Sequence, residues 1–203
     1  MSSPHEIERY LTKYTNDTPR ILDAPTGLGK NGYIMRVFSR PSYMIGVDLY
    51  LPYLRIVKNH RVYDDVILCD VTKLPLKSGS FDMIVASEII EHLEEKKGLS
   101  LLQEADRVST HRVMVITPNK PPSREAIPTA EGLNQYEAHR SSWQVSDFKS
   151  RGFQVFGIGL YFSRFFGKFE HEIDLLFAYS TALLPNFAAE IVAIKEKTIV
   201  TDK

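Results

Sequence analysis

The amino-acid sequence predicts an α/β fold built on a doubly wound, mostly parallel sheet with helices on both faces. Three observations carry this. Short apolar runs and helical patterns alternate five times between Arg20 and Ile116. The run Phe81 to Ala86 is apolar except for Asp82, as expected of a parallel strand covered on both faces. Finally, Ile21 to Gly32 joins one such run through glycines to a helix, which is how α/β folds open a ligand site.

Taken in order, Ser3, Pro4 and Glu6 occupy N-cap, first-turn and capping-box positions, and Ile7, Tyr10, Leu11 and Tyr14 follow at helical spacing. Residues 1–18 therefore form an amphipathic helix that Thr18-Pro19 ends. Arg20 to Ala24 is a strand, and Tyr33, Ile34, Val37 and Phe38 mark the helix beyond the glycines, closed by Pro41. Tyr43 to Val47 is the second strand, ending in Asp48, and Leu51, Leu54 and Val57 continue helically around Pro52. Val66 to Cys69 is the third, closed by Asp70 and a stretch of turn composition. After Phe81 to Ala86, a helix is expected from Ser87 through Leu93 to Val108, then a strand Val113 to Ile116. Residues 118–140 carry four prolines and read as a long loop, a feature that is usually functional in compact domains. A helix from Ser141 or Ser142 to Ser150, a strand Phe153 to Leu160, a helix Phe169 to Leu183 and a strand Ala188 to Ile194 follow, with Glu196 to Lys203 as a frayed tail.

At 203 residues the chain fits a single domain. Its 25 Lys and Arg balance 25 Asp and Glu, so no global field favours nucleic acid, which is not expected as a partner. Cys69 is the only cysteine and cannot form an internal disulfide, and the polar start lacks a secretory pattern; both predict a cytoplasmic protein. The apolar run Leu175 to Leu184 is about half the roughly 20 residues of a membrane span, which predicts a soluble one.

Gly27 and Gly29 let the turn take positive φ and approach a ligand closely. Three ligand classes use such turns. Gly27-Leu28-Gly29-Lys30-Asn31-Gly32 matches the G-x-G-x-x-G of dinucleotide sites. Ala24 to Lys30 looks like a phosphate loop, although Asn31 stands where a magnesium-holding Ser or Thr belongs. S-adenosylmethionine sites place an acid before the glycines, here Asp23. Ligands of open α/β sheets bind outside the carboxyl ends of the strands, and Asp23, Asp48, Asp70 and Ser87-Glu88 all fall there. Asp48 lies 16 residues after Gly32, where an acid accepts hydrogen bonds from ribose hydroxyls. Asp70 is one strand further along, in reach of an adenine amino group. Each acid alone also suits a turn or helix cap. Together they would repel a pyrophosphate and suit a sulfonium cation that carries an ammonium group.

Between Asp70 and Leu93 the elements Leu74-Pro75-Leu76, Ser80-Phe81-Asp82 and Glu91-His92 occur in an order that resembles the class I S-adenosylmethionine-dependent methyltransferases. The resemblance covers residues 19–160 and is greatest to the subgroup acting on small molecules, including quinone methylases. It implies a Rossmann-like, seven-stranded sheet with an antiparallel last strand, S-adenosylmethionine as cofactor, and methyl transfer to an oxygen, nitrogen or carbon of a small-molecule acceptor. It also implies that Asp23, Ala24, Pro25, Gly27 and Gly29 hold the methionine part. Asp48 and Leu49 would hold the ribose and adenine edge, Asp70 and Val71 the adenine, and Ser87 with Glu88 the methionine end again. Pro25 departs from the family, which usually has glycine there; its φ is fixed and it has no N–H.

Methyl transfer is an in-line displacement helped mainly by positioning, and a base is needed only when the nucleophile arrives protonated. Glu88, Glu91 and His92, at i, i+3 and i+4, are expected on one helix face, and His92 is the first candidate base. A similar Glu-x-x-Glu-His cluster is associated with a divalent metal in quinone O-methylases, but His92 fits better as a ring bonded to a backbone carbonyl and packed beneath the cofactor, and no metal ligand is assigned. The stretch Asn134 to Trp143 resembles a His-x-x-x-Trp segment of small-molecule methyltransferases. It offers His139 as base or donor, Tyr136 beside it and Trp143 as a wall, with Asn119 at the same opening; Trp143 suits the core as well. Residues 161–187, rich in Phe and Tyr with Arg164 and Lys168 between them, read as a lid, as a lipid-resting surface or as ordinary packing. Peripheral membrane contact has no further support, since one Arg and one Lys do not make a lipid site. Two other readings stay open: a non-catalytic cofactor-binding or partner-binding relative, suggested by Pro25, and a nucleotide hydrolase dependent on Lys30. Oligomeric state leaves no mark in the sequence.

Overall fold

The computed structural model describes residues 4–119, 125, 127–129, 132–160 and 182–197. Helix α1 (Pro4–Thr15) leads into strand β1 (Arg20–Asp23). The glycine turn follows, then α2 (Lys30–Ile34), which widens into a π-helical turn over Met35–Ser39. Next come β2 (Tyr43–Asp48), α3 (Leu51–Asn59), β3 (Asp65–Leu68), β4 (Phe81–Ser87), α4 (Glu95–Val108) and β5 (Ser109–Pro118). A small hairpin of β6 (Ile127–Thr129) and β7 (Gly132–Asn134) lies inside the stretch expected as loop. Helix α5 (Val145–Lys149), β8 (Gln154–Leu160) and β9 (Ala188–Glu196) complete the described chain.

The main sheet has seven strands in the order β3-β2-β1-β4-β5-β9-β8. Strands β1 to β5 are mutually parallel, and β9 runs antiparallel to both of its neighbours. Chain direction reverses its lateral progress at β1, which neighbours β2 on one side and β4 on the other. That is the topological switch point at which open α/β sheets bind ligands.

Alternating residues of each strand feed two separate cores. Ile21, Met44, Met83, Val85, Met114 and Val192 face Leu11 of α1, Met35, and Leu54 and Val57 of α3. Leu22, Val47, Ile84, Ala86, Val115 and Ile191 face Leu101 and Ala105 of α4 and Phe148 of α5. This two-sided burial explains why the strands read as continuous apolar runs. Tyr10 and Tyr14 of α1 pack on Phe156, and Arg112 donates to the Tyr14 carbonyl, which fixes α1 across β5 and β8.

Several expectations change. Strand β4 runs through Ser87, because the Glu88 N–H donates to Ile116 O at 2.8 Å and prolongs the ladder. Glu88 then takes a left-handed φ of 52°, a single 3-10 turn covers Ile90–His92, and α4 starts only at Glu95. Glu88, Glu91 and His92 consequently do not share a helix face. The helix expected from Ser141 starts at Val145, where the Gln144 N–H donates to Asp147 Oδ2 at 2.8 Å. Glu196 belongs to β9, not to a tail, and its carboxylate meets Arg112 at 2.7 Å. The Ser3 and Glu6 capping side chains, the aromatic stretch 161–181 with Arg164 and Lys168, most of the helix expected at Phe169 to Leu183, and the end of the tail lie outside the described residues.

Candidate functional site

The glycine turn is bonded into the strands on either side. The Ala24 N–H donates to Val85 O and the Thr26 N–H to Val47 O, both at 2.9 Å. The Gly27 N–H donates to Asp48 Oδ2 at 3.0 Å. Pro25, joined to Ala24 by a cis bond, sits between two donating neighbours, so its missing N–H leaves no gap in this ladder. Gly27 and Gly29 have φ of 48° and 86°, as the turn requires.

Asp23, at the end of β1, is completely buried beneath the turn. Its Oδ2 accepts a hydrogen bond from the Tyr63 hydroxyl at 2.6 Å, and Oδ1 has no partner among the described residues. Burial pushes its carboxyl up to about 7; the Tyr63 bond opposes this and the nearby Asp48 charge adds to it. A Cβ on Gly32 would lie 2.2 Å from the Tyr63 hydroxyl oxygen, and one on Gly46 would lie 2.3 Å from Thr26 Cγ2. Gly32, which completes the G-x-G-x-x-G pattern, is thus explained by the Tyr63 ring. Tyr63 itself carried no signal in the sequence beyond these two glycines.

Asp48 takes three hydrogen bonds: from the Tyr50 N–H at 2.8 Å on Oδ1, and from the Gly27 N–H at 3.0 Å and the Thr26 hydroxyl at 3.3 Å on Oδ2. Burial raises its carboxyl while these bonds hold it down. Leu49, next along, is 41% exposed. The Oδ1 of Asp70 accepts from both the N–H and the hydroxyl of Thr72, at 2.9 and 2.7 Å, and Val71 is buried. Burial, with Asp70 and Asp48 nearby, pushes the Cys69 thiol up to about 11. Ser87 is buried and Glu88 exposed. Asp48 and Asp70 therefore do cap turns, whereas Asp23 is held by a side chain.

The other half of the site is a clasp. Glu91 is fully buried, and its Oε2 accepts from the Thr117 hydroxyl at 2.9 Å. The Glu91 carbonyl accepts from the Arg140 and Ser141 N–H groups at 2.8 and 3.1 Å, and the Ser141 hydroxyl donates to Ile90 O at 3.1 Å. These bonds lay residues 138–141 on the 3-10 turn. His92 Nδ1 comes within 3.3 Å of Ala138 O, and the His92 and His139 rings meet edge-on with centroids 5.0 Å apart. The sequence offered these histidines in separate clusters; the fold puts them together. Upstream in the same segment, Asn134 Oδ1 accepts from the Tyr136 N–H at 3.1 Å, and the Tyr53 hydroxyl of α3 reaches Glu137 Oε1 at 3.4 Å. Residues 134–141 thus cross from α3 to the end of β4, with Tyr136 41% exposed.

Two expected acceptor residues are placed elsewhere. Trp143 is a core residue: its ring packs 5.7 Å from Phe148, Nε1 donates to Ser141 Oγ at 2.9 Å, and a Cβ on Gly98 would come within 2.4 Å of it. Asn119 is buried, and its Nδ2 donates to the carbonyls of Pro185, Asn186 and Ala188, so it secures the entry to β9. The bond between Thr117 and Glu91, which joins β5 to the 3-10 turn, left no mark in the sequence. An open groove of about 700 Å³ between α1 and α2 is lined by Glu8, Leu28, Gly29, Tyr33, Phe38 and His60 among others, and by none of Asp23, Asp48 and Asp70.

Comparison with known proteins agrees with this geometry. The family model "Methyltransferase domain" matches residues 22–116, from β1 to β5. The uncharacterized protein MJ0638 of Methanocaldococcus jannaschii is 22% identical over 151 residues, which are 74% of this chain and 62% of that protein; the chain spans less than two thirds of this relative. The crystal structure of PH0226 from Pyrococcus horikoshii OT3 superposes with a TM-score of 0.65 at 15% identity, over 96% of this chain and 89% of that one. A SAM-dependent methyltransferase from Archaeoglobus fulgidus gives 0.64 at 15% identity, over 96% and 95%. At that identity the structures speak for the shared fold. Residues 22–116 carry the methyltransferase domain of the class I S-adenosylmethionine-dependent methyltransferases, and S-adenosylmethionine is the cofactor of that family. No helix among the described residues is long and apolar enough to cross a membrane.

Proposed function

We propose that this chain transfers the methyl group of S-adenosylmethionine to a small-molecule acceptor held between the ends of β4 and β5 and residues 134–141. The observation that carries the reading is the meeting of His92 and His139 at the carboxyl edge, beside the turn that follows Ser87.

The cofactor lies across the switch point. Ala24, Pro25, Gly27 and Gly29 face its methionine part, with Ser87 and Glu88 at the same end and Asp23 supporting the turn from below. Asp48, held at the end of β2 by the Thr26, Gly27 and Tyr50 donors, accepts from the ribose hydroxyls. Leu49 and Val71 border the adenine, and Asp70 Oδ2 is turned to its amino group, Oδ1 being taken by Thr72. An acceptor atom attacks the methyl carbon in line as the carbon–sulfur bond breaks, leaving S-adenosylhomocysteine. His139, half-buried beside Tyr136, takes the proton of a protonated nucleophile, and His92 orients it. A cytoplasmic setting goes with this reading, since Cys69 is a free thiol.

The test is incubation of the protein with methyl-labelled S-adenosylmethionine and a cell extract separated into metabolite, protein and RNA fractions. Label in the metabolite fraction, lowered by His139→Ala, is expected. Label confined to protein or RNA would overturn the small-molecule reading. Absence of label together with intact S-adenosylhomocysteine binding would favour a non-catalytic relative.

A further inference from the structure

The outer face formed by α1, the glycine turn and α2 carries three large apolar side chains in the open: Leu28 is 59% exposed, Tyr33 61% and Phe38 64%. All three line the groove of about 700 Å³, together with Glu8, Lys30 and His60. Phe38 also borders a second groove, of about 620 Å³, that runs along Arg9 and Lys13 of α1. From this we infer that the face is the contact between two copies of this chain related by a two-fold axis, with Phe38 of each copy seated in the groove of the other.

The helix itself presents Phe38. In an uninterrupted α-helix Phe38 would share the face of Ile34, four residues earlier. Over the π-helical turn Met35–Ser39, where the Arg40 N–H reaches back five residues to Met35 O at 3.1 Å, Ile34 stays buried and Phe38 stands out. Turns of this kind are rare inside helices and recur at functional sites. The three side chains offer roughly 350 Å² of apolar surface per copy, since an aromatic side chain carries about 150–250 Å². Doubled, and with the polar rims included, this reaches the lower end of the roughly 1,200–2,000 Å² of a specific interface. A two-fold contact also has to be complementary to itself. Knob and groove lie on one face here, and the rim mixes Glu8 with Lys13 and Lys30, so acid can meet base across the axis where a rim of one sign would repel its own copy. The formal net charge of +0 adds no repulsion between whole chains. The competing way to pair two copies is edge to edge through β3, where Leu68 is exposed, but that strand has only four residues, and short edge strands are poor templates.

The test is independent of methyl transfer. Sedimentation equilibrium and light scattering on the purified chain, between about 1 and about 100 µM, are expected to show a monomer–dimer equilibrium with a Kd in the micromolar range. Phe38→Glu should weaken the dimer at least tenfold, because it brings a charge into the partner's apolar groove. Tyr33→Ser should weaken it as well, by removing an exposed ring from the same contact. Leu68→Glu, on the edge strand, should leave it unchanged. All three positions are exposed, so the substitutions leave the core intact, and a cooperative melt verifies that each variant is folded. A monomer over the whole range, growth beyond a dimer, a dimer indifferent to Phe38→Glu, or one lost with Leu68→Glu would each overturn the contact.

Discussion

The Tyr63 hydroxyl donates to Asp23 Oδ2 at 2.6 Å, in a space that Gly32 and Gly46 leave open. The bond holds a fully buried carboxyl under the glycine turn, and that burial, which the bond only partly offsets, makes stability depend on pH. Below about pH 4 Asp23 is protonated in both the folded and the unfolded chain and costs nothing. Between there and about 7 the unfolded chain ionises while the folded one keeps its proton, so this contribution is lost as pH rises and is gone above 7. The full difference is on the order of 4 kcal/mol. Asp23→Asn should therefore match the wild type in denaturant melts near pH 4 and exceed it at pH 8. An equal gap at both values would mean that Asp23 is ionised throughout.

Gly32→Ala should destabilise the chain by about 1–3 kcal/mol, because its Cβ would enter the Tyr63 ring. Alanine is ordinarily better than glycine in a helix by about 1 kcal/mol, so the two effects have opposite signs. Urea unfolding decides between them. A more stable variant would place the Tyr63 ring away from α2.

Asp48→Ala should weaken S-adenosylhomocysteine binding at least tenfold, and by more than His139→Ala does. It removes the proposed ribose acceptor and also the restraint on the Gly27 N–H. Calorimetry on the two variants checks this; equal losses would move the ribose away from β2.

Trp143 and Tyr136 should separate stability from turnover. Trp143→Ala leaves a cavity against Phe148 and Gly98 and should cost roughly 3–5 kcal/mol. Tyr136→Ala, on an exposed side chain, should shift stability by no more than about 0.5 kcal/mol while lowering the methylation rate. Thermal melts and the labelled-methyl assay on both variants provide the comparison.

The strands and the acids that end them were legible because parallel strands buried on both faces leave unbroken apolar runs, and because Asp23, Asp48 and Asp70 close three of them. Other parts depend on contacts that no letter encodes. Arg140 and Ser141 reach the Glu91 carbonyl through their backbone N–H groups, so any residue type but proline would serve, and the meeting of His92 with His139 was hidden with them. The helix pattern from Ser87 was misleading because Glu88 adopts a left-handed φ, which is rare for glutamate. Trp143 had two equally good destinations, and the space beside Gly98 decided for the core.

Strand β9 lies between β5 and β8, with both of its edges paired and its residues up to Ile194 buried. During synthesis β5 and β8 emerge well before it and have no partner in each other. One edge of β5 is therefore left with unpaired peptide groups until residues 188–196 arrive, and the nascent chain carries an open template for mispairing through that interval. Slow translation between β8 and β9 would prolong this exposure, and a chaperone that shields strand edges would shorten its effect.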